Sequence, residues 1–343
     1  MKKNTIYLFF SFSILLIAFN SCTNKEVTEH KETTELIKKQ TKNDPVIDEE
    51  LWTPPDTNTI PNDEFGDMVR YGRKLILNTA YYIGPEGKVG KFLGNKMNCT
   101  NCHLEGGTKP YAFNFYSTHA RYPQYRAREN KILSLADRVN NCIERPHNGK
   151  HMPLNSKEMI AIISYMKWLS QKVPVDGHVN GDGPIKIDFP SRAANPYKGE
   201  DVYKRECLSC HGANGEGKMR ADNVCYEYPP LWGDKSYQSG SSVHRLIKMA
   251  PFVYANMPNK IATYQNPKLT IEEAYDVVAF INNDTIHKRP HPVTKNDYAS
   301  LAHKPIDYDH GPYLDSFPEI QHKYGPYKEI VEYYKKIGKK VNY

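Results

Sequence analysis

The chain has 343 residues, of which 39% are hydrophobic and 25% charged, with seven cysteines and a formal net charge of +7. Two domains fit within that length. The charge falls to +5 if Lys2 and Lys3 leave with an N-terminal leader, which is too small an excess to argue for a nucleic-acid partner.

Lys2-Lys3, an apolar run from Ile6 to Phe19 and then Asn20-Ser21-Cys22 read as a secretory signal over residues 1–21. Ser21-Cys22 resembles the end of a bacterial lipoprotein signal, so Cys22 is the expected lipid anchor. Phe19 and Asn20 fit the small-residue pattern poorly, which keeps an ordinary cleavage site or an uncleaved anchor as alternatives. The residues that follow are rich in Lys, Glu and Thr and lack apolar periodicity, so 22–60 is expected to be a solvated tether. The remainder would be exported and held on the periplasmic side of a membrane.

From Phe65 to Thr79 one stripe carries Phe65, Met68, Val69, Gly72, Leu75 and Ile76, which predicts a helix. Beyond it stands Cys99-Thr-Asn-Cys102-His103, and about a hundred residues later Cys207-Leu-Ser-Cys210-His211. Two cysteines three positions apart can each form a thioether to one vinyl group of a porphyrin, while the adjacent imidazole binds the iron. A zinc half-site would need a matching second Cys/His pair, and a redox dithiol does not need the trailing His. Two such motifs predict two covalently attached haem c groups. Their propionates outweigh the ferric charge and lower the net charge to about +3.

A second helix is expected from a cap at Asn155, with Glu158 three residues on, through Ile162, Ile163, Tyr165, Met166 and Leu169. After a linker over 173–195 the order repeats. A short helix opens at Gly199-Glu-Asp-Val-Tyr203 before Cys207, and Thr270-Ile-Glu-Glu273 caps a helix bearing Val277, Val278, Phe280 and Ile281. Helix, haem motif, long loop, helix is the order of a small class I cytochrome c domain. In that fold a glycine on the first helix admits an aromatic of the last; Gly72 with Tyr165 and Gly199 with Tyr275 are the expected pairs. The fold class is therefore mainly α: two tandem class I cytochrome c domains, 61–172 and 196–290, with a C-terminal extension.

Each iron needs a sixth ligand. In the second unit Met257-Pro258 lies 46 residues beyond His211, on a loop that can return to the open iron face. Met249 competes, but it falls within a helix expected over 243–253. In the first unit two counts disagree. Met152-Pro153 is the counterpart measured from His103, whereas Cys142 lies 13 residues before Asn155 just as Met257 lies 13 before Thr270. Cys142 as ligand, a Cys142–Cys225 disulfide, and Met152, His147 or His151 as ligand all remain open here.

Six stretches together resemble the dihaem thiosulfate dehydrogenases: Cys99-Thr-Asn-Cys-His-Leu-Glu-Gly-Gly-Thr108, Pro123-Gln-Tyr-Arg-Ala-Arg128, Asp137-Arg-Val-Asn-Asn-Cys142-Ile-Glu-Arg145 with Asn148-Gly-Lys150, Pro229-Pro-Leu-Trp-Gly233, Ala255-Asn-Met-Pro258 and Glu273-Ala-Tyr-Asp-Val-Val-Ala-Phe280. The resemblance implies His103/Cys142 ligation of a catalytic first haem and His211/Met257 ligation of an electron-transferring second haem. It also implies that Arg128 and Arg138 border the substrate pocket, with Lys150 a weaker candidate, and that two thiosulfates are coupled to tetrathionate, or the reverse. Pro146 stands where the family usually has Ser. Electrons would leave to a soluble or membrane partner such as another cytochrome c. A non-catalytic electron-transfer cytochrome and a dihaem peroxidase are the alternatives the haem motifs alone would allow. Residues 291–343, rich in Tyr, Lys and Pro, have too few apolar residues for a domain and are expected to form an arm over the haem domains.

Overall fold

The computed structural model describes residues 46–47, 50–290 and 297–343. The signal, Cys22 and most of the tether lie outside the described residues. Among those described, no helix is long and apolar enough to cross a membrane.

The first unit is built on three helices: α1 (Glu64–Leu77), α2 (Leu135–Glu144) and α3 (Lys157–Leu169). The Asp63 carboxylate caps α1 by accepting from Gly66 N at 2.7 Å. The cap of α3 is Ser156, whose Oγ accepts from Met159 N at 3.2 Å, one residue beyond the expected Asn155. Helices α1 and α3 cross where Gly72 lies. A Cβ on Gly72 would stand 2.0 Å from the Ala161 carbonyl oxygen and 2.9 Å from Tyr165 Cβ, so only hydrogen fits.

The second unit repeats this with α4 (Pro196–Glu206), α5 (Leu246–Asn256) and α6 (Ile271–Ile281). Asn195 caps α4, and Thr270 with Glu273 forms a reciprocal capping box on α6. Gly199 meets α6 as Gly72 meets α3: its Cβ would lie 1.9 Å from Asp276 O and 2.9 Å from Phe280 Cβ. The expected partner Tyr275 is therefore corrected to Phe280. One residue is about 100° of helix, so Tyr275 turns away from Gly199 and its ring lies 6.3 Å from that of Tyr327.

Strands are confined to three two-stranded pieces. β1 (Val46–Ile47) runs parallel to β4 (His178–Val179), β2 (Gln124–Arg126) is antiparallel to β3 (Lys131–Leu133), and β5 (Lys218–Met219) is antiparallel to β6 (Tyr226–Tyr228).

The end of the expected tether and the linker both make defined contacts. Within the stretch expected as tether, the Trp52 ring lies 4.0 Å from that of Tyr116, tilted by 39°, its backbone N–H donates to Asn180 O at 3.1 Å, and Ile60 is buried in the first core. The linker is fixed to the first unit by bonds from Tyr111 N and Asn114 Nδ2 to Gly181 O, at 2.9 and 2.6 Å.

The C-terminal extension adds α7 (Glu319–Tyr324) and α8 (Tyr327–Lys336). Tyr327, Ile330, Val331 and Tyr334 of α8 are buried in the second unit's core. Lys323 binds Asp284 and Asp309 at 2.5 and 3.1 Å, and so fills the cation position among His244, Asp284 and Asp309.

The helix contacts generate a prediction. On propensity alone Gly199→Ala should stabilise α4 by ~1 kcal/mol. The clash with Asp276 O should reverse this to a net loss of at least ~2 kcal/mol in thermal or denaturant unfolding. A stabilised variant would show that the two helices do not meet at this residue.

Candidate active site

Both haem-motif histidines are pinned by the same device. His103 Nδ1 donates to the Phe113 carbonyl and its ring lies 4.5 Å from Phe115, while His211 Nδ1 donates to Pro229 O at 2.8 Å. Each bond leaves Nε2 as the nitrogen available to a metal. Cys99, Cys102, Cys207 and Cys210 are free thiols. Two thiols and one Nε2 imidazole per motif form a donor set that fits covalently attached haem c.

Helix α2 carries the rest of the first site. The Ser134–Asp137 capping box fixes its start, and Leu135, Ala136, Asn140 and Ile143 face the core. Arg138 and Cys142 are one turn apart on another face, and Arg138 Nη1 donates to Cys142 Sγ at 3.0 Å. Burial raises the Cys142 thiol, but the Arg138 guanidinium, a hydrogen bond from His103 and the charge of Arg145 outweigh this and bring it down to about 6. Burial pushes the neighbouring Cys99 and Cys102 the other way, to about 11 and about 12. One half-buried cysteine is thus prepared as a thiolate, and His103 stands beside it.

The other candidate ligands have their own contacts. Cys142 and Cys225 are both free thiols, so the disulfide is not formed. Asn140 clamps the backbone of Met152, bonding its N and O at 2.9 Å each, and the side chain is core. His151 is exposed and 3.4 Å from Glu144. His147 is buried 3.3 Å from Asn95 Oδ1, and burial lowers its pKa to about 4. In the second unit Met249 Sδ accepts from Asn282 Nδ2 at 3.4 Å and Tyr237 OH at 3.8 Å within the core. Met257 ends α5 at the edge of that core.

The expected arginines separate. Arg138 is at the thiolate. Arg128 instead sits beneath the C-terminal extension, with Nη1 donating to Asp297 Oδ2 at 2.7 Å and to Gly240 O at 2.8 Å. Its charge is paired rather than open, which sets its surroundings apart from those of Arg138. Lys150 is exposed, and Pro146 uses its carbonyl to accept from Asn95 Nδ2 at 3.1 Å. Sequence reasoning missed Arg145, held by Glu129 and acting on Cys142 from one turn further along α2. The i, i+3 spacing was the available signal.

Residues 92–175 match the SoxA/TsdA cytochrome c domain and residues 197–284 match the cytochrome c family. The thiosulfate dehydrogenase of Thiomonas intermedia (strain K12) is 36% identical over 67% of this chain and 70% of its own length. The chain belongs to the thiosulfate dehydrogenase family. A second family member, from Psychrobacter arcticus, is 37% identical over 71% of this chain and 69% of its own. A solved thiosulfate dehydrogenase, TsdBA from Marichromatium purpuratum in its as-isolated form, aligns with a TM-score of 0.64 and 31% identity over 71% of this chain. The chain spans about half (51%) of that longer protein. The family and its two cytochrome c domains carry two covalently bound haem c.

The buried His147 sets a pH test. Its pKa of about 4 in the folded chain lies below the ordinary 6.5, so between these values the unfolded chain binds the extra proton. The stability it contributes is complete above about pH 6.5 and is lost as pH falls toward 4, by up to ~3 kcal/mol. Thermal unfolding across this window should decline less steeply in His147→Gln than in the parent. Equal slopes would place the imidazole in contact with water.

Proposed function

We propose that the protein is an exported dihaem oxidoreductase that couples two thiosulfates into tetrathionate with release of two electrons. His103 and Cys142 would hold the first iron, His211 and Met257 the second. The observation that carries this reading is the half-buried Cys142 sulfur with the Arg138 guanidinium 3.0 Å away. Bound haem would supply the one-electron acceptors that the coupling requires.

The protein's own residues meet the electrostatic problem. Two thiosulfate dianions ~4 Å apart repel by ~4 kcal/mol even at water's dielectric, and by more in a cleft. Arg138 offers a charge-assisted donor at the sulfur, and Arg145 adds positive field from the same helix. When not bound to iron, Cys142 is prepared to react as a thiolate and can attack a central sulfur of tetrathionate, breaking the central S–S bond, releasing thiosulfate and leaving a cysteine S-thiosulfonate. The reverse of this exchange is the bond-forming step of the coupling. A simple electron-transfer cytochrome has no use for a half-buried thiolate prepared in this way. An external redox partner, a second cytochrome c for example, would take the electrons from the Met257 side, and a lipid on Cys22 would keep the protein at the membrane.

Cys142→Met should leave both haems attached, raise the potential of one and lower thiosulfate-dependent reduction of an artificial acceptor by orders of magnitude. An unchanged spectrum and rate would remove Cys142 from the site. Met257→Gly should spare single-turnover reduction by thiosulfate but slow steady-state transfer outward. Unimpaired turnover would mean that the electrons leave elsewhere.

A further inference from the structure

The loop that pins His103 is packed into the second unit. Leu104, which follows His103, and Ala112 are buried in the second unit's core, and Phe113 packs against it. Tyr111 and Phe113 both adopt the left-handed backbone, with φ of 57° and 51°. Bulky side chains keep that conformation only where their surroundings enforce it.

Helix α5 supplies much of the enforcement. The Phe113 ring stacks on that of Phe252, with centroids 4.9 Å apart and planes 7° from parallel. One turn on, Asn256 Nδ2 donates to the Tyr111 carbonyl at 3.2 Å. Phe252 and Asn256 are i, i+4 neighbours on one helix face, so they grip the loop at both of its left-handed residues. On its other side the loop is tied to the linker, where Tyr111 N donates to Gly181 O at 2.9 Å. The carbonyl thus held in place is the one that accepts from His103 Nδ1. A hydrogen bond at Nδ1 strengthens Nε2 as a donor, and a stronger imidazole donor favours ferric over ferrous iron.

We propose that Phe252 is a positioning residue for the first haem: through its stack on Phe113, the second unit sets the His103 hydrogen bond and with it the potential of the first iron. This rests on the reading that His103 binds that iron. The potential of the first centre is then a property of the two units together. Helix α5 ends at Met257, so one element bears on both proposed ligand sets.

The test is a potentiometric titration of the holoprotein, with the first haem identified as the spectral component lost in Cys99→Ala/Cys102→Ala. Phe252→Leu keeps an apolar side chain but removes the ring, and should raise the potential of the first haem while both haems stay attached. Phe113→Leu leaves the accepting carbonyl in the chain and should shift the potential the same way. The double variant should add little to the larger single shift, because both changes remove one contact. Phe252→Tyr, which keeps the ring, should stay near the parent. In the ferrous protein, NMR should show the His103 Nδ1 proton exchanging with solvent about tenfold faster in each Leu variant, which packing lost elsewhere along α5 would not cause.

An unchanged or lowered first-haem potential in Phe113→Leu would overturn the proposal even if Phe252→Leu folds poorly, since the tie to Gly181 would then suffice to hold the loop. A shift confined to the second haem in Phe252→Leu would overturn it, as would fully additive shifts in the double variant. An unaltered first-haem spectrum in His103→Ala would instead take His103 off the iron and defeat the reading beneath the proposal.

Discussion

The contact between a first and a last helix at a single glycine organises both haem units. Gly72 admits Ala161 and Tyr165, and Gly199 admits Asp276 and Phe280, in the same i, i+4 pattern. Once those helices are locked, the segment entering the last helix has a fixed reach. Cys142 precedes Tyr165 by 23 residues, and Met257 precedes Phe280 by 23. The two sulfurs proposed as ligands thus stand at the same sequence distance from the last helix in units whose haem-motif-to-sulfur spacings differ, and under that proposal the contrast between the sites is thiolate against thioether.

Placing a thiolate in a half-buried site is costly unless a cation accompanies it. Helix α2 solves this locally by setting Arg138 one turn before Cys142, so that the cation comes from the same capped element as the sulfur. Arg145 extends the field, while Glu129 ties that arginine down. The same guanidinium that keeps the sulfur charged is suited to receive an anionic substrate.

The haem motifs, the two-unit repeat and the Thr270 cap were legible because each is a local pattern with a chemical reason, whereas the cap of α3 fell one residue beyond Asn155. Cys142 was harder to read. Counting from the histidine favoured Met152 and the count from the last helix favoured Cys142, because the stretch between haem motif and last helix differs in length between the two units. Gly199 was assigned to Tyr275 rather than Phe280, since aromatic identity alone does not give helix phase. The Arg128–Asp297 pair was invisible: 169 residues separate the partners, and no periodicity encodes a contact at that distance. The contacts at the end of the expected tether escaped for a related reason. Trp52 and Ile60 are isolated apolar anchors in a polar stretch, with no pattern to announce them.

The central claim is that the two irons differ in their sulfur ligand, thiolate at Cys142 and thioether at Met257. Electron paramagnetic resonance of the fully oxidised protein tests this most directly, because a thiolate-ligated low-spin ferric haem has a narrower spread of g values than a His/Met haem. The account predicts two low-spin signals of equal weight, one narrow and one wide. Two wide signals with no narrow component would contradict it.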